Sequence, residues 1–105
     1  MRGICLNLHT YEFHKHKGEL LHEWLLEKAK EMGVEGGSIL RSIAGFGRHG
    51  QLHEEHFFEL ASNVPIILTF ISQKEKIDRF LATIKEEKLS LFFSMNEVEY
   101  GFLPV

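Results

Sequence analysis

Hydrophobic and polar positions divide the chain into stretches of period two and stretches of period 3.6. Ile4, Leu6 and Leu8 alternate with Cys5, Asn7 and His9, the spacing of a half-buried strand. From Gly18 to Met32 the apolar positions Leu20, Leu21, Trp24, Leu25, Ala29 and Met32 keep to one helical face. Gly33 then stands where a left-handed C-terminal cap is expected. Ser38 to Ala44 reads as a second strand, entered through Gly36-Gly37. Pro65 to Ile71 reads as a third, apolar on both faces and therefore central or covered twice. Ser72 with Glu75 three residues on fits a capping box for a second helix, whose core face is Ile77, Phe80, Leu81 and Ile84. A last strand starts near Leu91. Its apolar phase slips between Met95 and Val98, which predicts a bulge near Asn96.

The resulting order β-α-β-β-α-β predicts an α+β, ferredoxin-like fold, an antiparallel sheet with both helices on one face. If Ile66, Leu68 and Phe70 point toward the helices, Ile67 and Ile71 point away from them. The second face is then not simply polar, and a patch of that kind on a small domain predicts an interface between copies. Partial cover by the final strand and by Phe102 to Val105 is the alternative.

At 105 residues the chain reads as one domain, and an apolar fraction of 44% excludes disorder. No apolar run reaches the length of a bilayer span, and the N-terminus lacks the features of a secretory signal. A lone cysteine, Cys5, permits no internal disulfide. Together these lead us to expect a cytoplasmic protein. The formal charge of −3 argues against nucleic acid. RNA-recognition domains share the element order, but the first strand here lacks the stacking aromatic and the third lacks the basic pattern, so that reading fails. Seven histidines change the picture more. Protonating all of them adds seven charges to −3 and gives +4.

Chemistry concentrates where the second strand ends. In Gly45-Phe46-Gly47-Arg48 two glycines without Cβ flank an aromatic, which lets the backbone turn sharply and come close to a ligand. Backbone N–H groups in such a turn form an anion-binding concavity, and Arg48 adds a charged fork suited to phosphate. Arg41 alternates with Ile39 and Ile43 into apolar surroundings. It either pairs with a carboxylate across a subunit interface or serves as a second anion ligand beside Arg48. His49, His53 and His56 recur at i, i+4 and i+7, so a metal site in this loop is the rival reading. The four-ligand spacing of a structural zinc site is absent. His53 is expected to orient the loop, with His9 and His22 as spectators. Catalysis finds no support: Cys5 sits among packing residues, the pairs Glu54-Glu55 and Glu86-Glu87 diverge by adjacency, and no serine has a nucleophile-elbow context. We therefore read a non-enzyme.

The stretch from Ile43 through His49 resembles the start of the mobile loop of PII signalling proteins. A closer resemblance is to the PII-like family classed as domain of unknown function 190. It rests on Arg2-Gly3, Arg41-Ser42-Ile43-Ala44-Gly45-Phe46-Gly47, His53, Leu60-Ala61-Ser62-Asn63-Val64-Pro65, and Glu75-Lys76-Ile77 with Phe80-Leu81. That resemblance implies a homotrimer with a ligand cleft between subunits. It implies a small anionic ligand, an adenine nucleotide (AMP, ADP or ATP) first. It also implies a regulated protein partner, such as a membrane transporter, reached through the loop after Gly45. Two departures stand out. Where PII proteins carry a second Gly-rich, phosphate-gripping loop, this chain has Glu86-Glu87-Lys88-Leu89-Ser90, and Gln51-Leu52-His53-Glu54-Glu55-His56 contains no tyrosine for the PII modification. The expected ligand residues are thus Arg41, Gly45, Phe46, Gly47, Arg48 and His53. The alternatives are a metal- or pH-responsive histidine loop, or an adaptor with a vestigial cleft.

Overall fold

The computed structural model describes residues 1–46, 53–54 and 63–104. Its elements are β1 (Arg2–Tyr11), β2 (Lys15–His16), β3 (Glu19–Leu20), α1 (Leu21–Glu31), β4 (Gly36–Arg41), β5 (Ala44–Gly45), β6 (His53–Glu54), β7 (Pro65–Ser72), α2 (Lys74–Glu86) and β8 (Phe92–Glu99). The four long strands form one antiparallel sheet in the order β4-β7-β1-β8, the split βαβ arrangement that the periodicity predicts.

Register explains the core. Leu6 lies opposite Phe70 and Leu8 opposite Leu68, so these apolar side chains share one face of the sheet. Leu21, Leu25 and Ala29 of α1 and Ile77, Phe80 and Ile84 of α2 close over that face, and all of them are buried. Phe70 and Phe80 meet edge to face with centroids 5.0 Å apart. Each side chain taken fully out of water here contributes about 1.5–3 kcal/mol before the entropy of ordering is set against it.

Four details differ from the sequence expectation. Helix α1 begins at Leu21 rather than Gly18, because Lys15 to Leu20 forms a hairpin turning at Lys17 and Gly18, both at positive φ. Leu20 and Leu21 match the helical phase, which hides the hairpin. Ser72 does not cap α2: Gln73 holds the cap position without a side-chain bond, while the Ser72 hydroxyl donates to Glu35 Oε1 at 3.1 Å. No bulge interrupts β8, whose pairing with β1 runs unbroken from Phe92 to Glu99. As an edge strand exposed along most of its length, β8 tolerates apolar residues on both sides without a change of register. Arg41, finally, is not buried. Its side chain is 67% exposed, and Nη2 donates to both oxygens of Glu12 in the same chain, at 2.7 and 3.0 Å.

The end of β8 is fastened back onto the sheet. Met1 and Tyr100 exchange backbone hydrogen bonds, and the Tyr100 hydroxyl donates to Glu35 Oε1 at 2.7 Å. The Tyr100 ring lies so close over Gly3 that a Cβ there would collide with it and with the Ser72 carbonyl oxygen. Glu35 receives bonds from both Tyr100 and Ser72. The Tyr100 bond, foremost, holds its carboxyl below the usual range, and the same contact pushes the Tyr100 phenol up to about 12.

Candidate functional site

At one end of the sheet, β1 finishes, β7 starts, β8 starts and the chain leaves β4 for β5. Their convergence leaves a cleft of about 280 Å³. That is just under the range of roughly 300–1,000 Å³ usual for small-molecule sites. Gly45 and Phe46 form one wall, His9, Tyr11 and His14 a second, and Ser90 to Phe92 a third.

Local structure places each wall. The two-residue ladder of β5 with β6, Ala44 opposite Glu54 and Gly45 opposite His53, ties together the two arms of the loop that follows β4. The amide of Ser42 donates to the Pro65 carbonyl at 2.9 Å and fixes the chain as it leaves the sheet. Asn63 Oδ1 accepts from the Phe13 amide at 3.1 Å, and the Val64 carbonyl accepts from Glu12, so the returning arm is bound to the segment after β1. His14 is positioned by a 2.8 Å contact between Nδ1 and the Thr10 hydroxyl. His9 packs edge to face on Phe92, opposite it in the β1–β8 register, with centroids 5.1 Å apart. Burial there holds the His9 imidazole below its ordinary value.

The segment between α2 and β8 differs chemically from a glycine-rich phosphate loop, yet its one acid, Glu87, is occupied. Glu87 Oε1 accepts from Lys17 Nζ at 2.9 Å and contacts His16 Nε2 at 2.8 Å. These partners, Lys17 first, hold the Glu87 carboxyl below the usual range. The β2–β3 hairpin thus neutralises Glu87 and anchors the segment. Lys88 adopts φ 60, a left-handed turn more often given to glycine, and the chain then delivers Ser90 to the cleft.

Of the residues singled out from the sequence, Gly45 and Phe46 line the cleft, and Phe46 is 74% exposed. The backbone of His53 pairs with Gly45. Arg41 stands at the end of β4 with Glu12, outside the lining. Gly47, Arg48, His49, His56 and the His53 side chain lie outside the described residues. Gly45 does not take a positive φ, so a sharp turn is not the reason for glycine there; a Cβ would meet none of the described residues. His9 and His14 are the wall residues that periodicity alone does not assign to a site. The available signal was the placement of His9 on the face opposite Leu6 and Leu8, at the end of the strand. Among the described residues no cluster of three or more metal-ligating side chains is present.

A sheet of this order with two helices on one face defines a ferredoxin-like domain, here with a cleft at the root of the β5–β6 loop. The chain belongs to the family described as Uncharacterized ACR, domain of unknown function 190, which matches residues 3–100. A UPF0166 protein of Aquifex aeolicus is 36% identical over 98 residues, 93% of this chain and 92% of that protein. A UPF0166 protein of Methanocaldococcus jannaschii is 30% identical over 86 residues, covering 82% and 79%. Among solved structures, the nitrogen regulatory PII-like protein CPII of Thiomonas intermedia K12, bound to ADP, AMP and bicarbonate, superposes with a TM-score of 0.72. That match covers 97% of this chain and 91% of CPII at 19% identity. A putative PII-like signalling protein of Thermus thermophilus gives a TM-score of 0.61 at 18% identity, covering 92% and 87%. At such identities the likeness is one of fold.

Proposed function

We propose that this PII-like chain is a ligand sensor that binds a small anion, an adenine nucleotide first, in the cleft at the root of its β5–β6 loop. The observation that carries the reading is the convergence of Gly45, Phe46, His9 and Ser90 on one cavity, at the point where both arms of that loop leave the sheet. Occupancy there biases how the loop leaves the sheet and so reaches a regulated protein partner, a membrane transporter being one candidate. Arg48 and Gly47, one or two residues beyond the described wall, supply the charged fork and the backbone donors. ADP, AMP and bicarbonate bound to CPII support the choice of ligand class.

Assembly belongs to the same proposal. On the sheet face away from the helices Leu40, Ile67 and Phe92 share a row with His9, and Leu40 and Phe92 are more than half exposed. A homotrimer that buries this face would set the cleft against a neighbouring subunit and complete it. We read the role as binding rather than catalysis and the location as cytoplasmic; no helix among the described residues is long and apolar enough to cross a membrane. Thermal shift with ADP, AMP, bicarbonate and zinc tests the ligand class. A midpoint raised by the nucleotides in proportion to concentration is expected, whereas a response to zinc alone would transfer the function to the histidine loop.

A further inference from the structure

The described part of the cleft has an electrostatic gap. An anionic ligand needs positive charge, yet among the described residues no lysine, arginine or carboxylate lines it. Its titratable side chains are His9, His14 and Tyr11. His14 is exposed and its Nδ1 is already engaged by Thr10. His9 is different: it is half-buried, its ring rests on Phe92, and among the described residues neither ring nitrogen has a hydrogen-bond partner. Among the described residues, the strands paired with β1 at His9 place no charged side chain opposite it. Its cross-strand neighbours are Ile67 on β7 and Phe92 on β8. Among the described residues of the adjoining segments, Arg41 is paired with Glu12 and Glu87 with Lys17.

We propose that the cleft takes up its anionic ligand together with a proton, and that His9 is the residue that receives it. This rests on the nucleotide-site reading above and adds its regulation. In the free protein burial disfavours a proton on His9, and among the described residues no carboxylate pairs with its ring. An anion placed in the cleft supplies the missing counter-charge, so the bound state favours imidazolium and the free state favours neutral imidazole. The burial that holds the His9 imidazole below its ordinary value acts in the same direction. Affinity therefore rises as pH falls through the bound-state value and levels off below the free-state value. A mildly acidified interior would fill the site at a ligand concentration that leaves it empty at alkaline pH.

ADP titrated into wild type and His9→Gln at pH 8 and pH 6 tests this. Titration of the ADP phosphates enters both proteins alike and cancels in the ratio of their dissociation constants. That ratio, variant over wild type, is expected to grow about fivefold or more between pH 8 and pH 6, since each unit of pKa rise is worth a factor of about ten. In wild type the His9 ring, followed by NMR, is expected to titrate at higher pH with ADP than without it, a readout that holds even if the variant does not fold. Equal pH dependence in the two proteins, or a His9 titration unmoved by ADP, would overturn the proton linkage while leaving the nucleotide site standing. No ADP binding to wild type at either pH would overturn the site reading and the linkage with it.

Discussion

The two faces of the sheet are built to different specifications. Toward the helices, Leu6, Leu8, Ile66, Leu68 and Phe70 are 3% exposed or less, and no charged side chain joins them in the core. On the opposite face the same strands present Asn7 bonded to Thr69, half-buried Ile67 and Ile71, and His9 beside Phe92. One face is finished within a single chain. The other mixes apolar rows with polar pairs, and it is the face that the proposed homotrimer would bury. Stability is thus concentrated on the first face, and the cleft opens at the end of the second, where the proposed ligand and assembly would act without disturbing the core.

Neighbouring residues on opposite faces give the sharpest way to break this comparison. Leu68→Ala removes a fully buried side chain and is expected to cost about 2–5 kcal/mol in denaturant unfolding. Ile67→Asp, one residue earlier, should leave the fold of the chain intact but dissociate the proposed trimer, read as a fall from three chains to one in light scattering. If Ile67→Asp instead unfolds the protein like Leu68→Ala, the second face is core and the distinction fails.

Much of the first face was legible in the sequence, because period-two and period-3.6 patterns report burial directly and Leu6, Leu8, Ile77 and Phe80 obey them. The errors fall where side chains serve partners distant in the chain. Ser72 resembles a helix cap locally, but its hydroxyl is taken by Glu35, 37 residues away. Arg41 looks buried by alternation, yet Glu12 holds it at the surface. The cleft is the extreme case. Its walls come from residues near 10, 45, 65 and 91, so sequence marks only the wall with a local signature, Gly45-Phe46, and leaves His9 as one histidine among seven.

A smaller effect is expected where β8 is fastened to the start of β4. The Glu35 carboxyl has a lower pKa in the folded chain than unfolded, so its stabilising contribution is present above the unfolded value and is lost as pH falls through the folded one. Tyr100→Phe removes the first cause of that shift. It should lower the melting midpoint modestly at pH 7 and flatten its decline at acid pH. Thermal melts from pH 7 to pH 3 check this, and an unchanged acid arm would mean that Glu35 is held by other groups.

The central claim, a ligand cleft at the root of the β5–β6 loop, is tested most directly at Gly45. Among the described residues a Cβ there meets nothing, and the position lies in a strand without a positive φ, so Gly45→Val should fold as the wild type does while adding bulk to a residue that lines the cleft. Calorimetric titration with ADP should show saturable binding to the wild type. Binding to the variant should be weakened at least about tenfold, roughly 1.4 kcal/mol, with the melting midpoint unchanged. Equal ADP affinity in the two proteins would contradict the account.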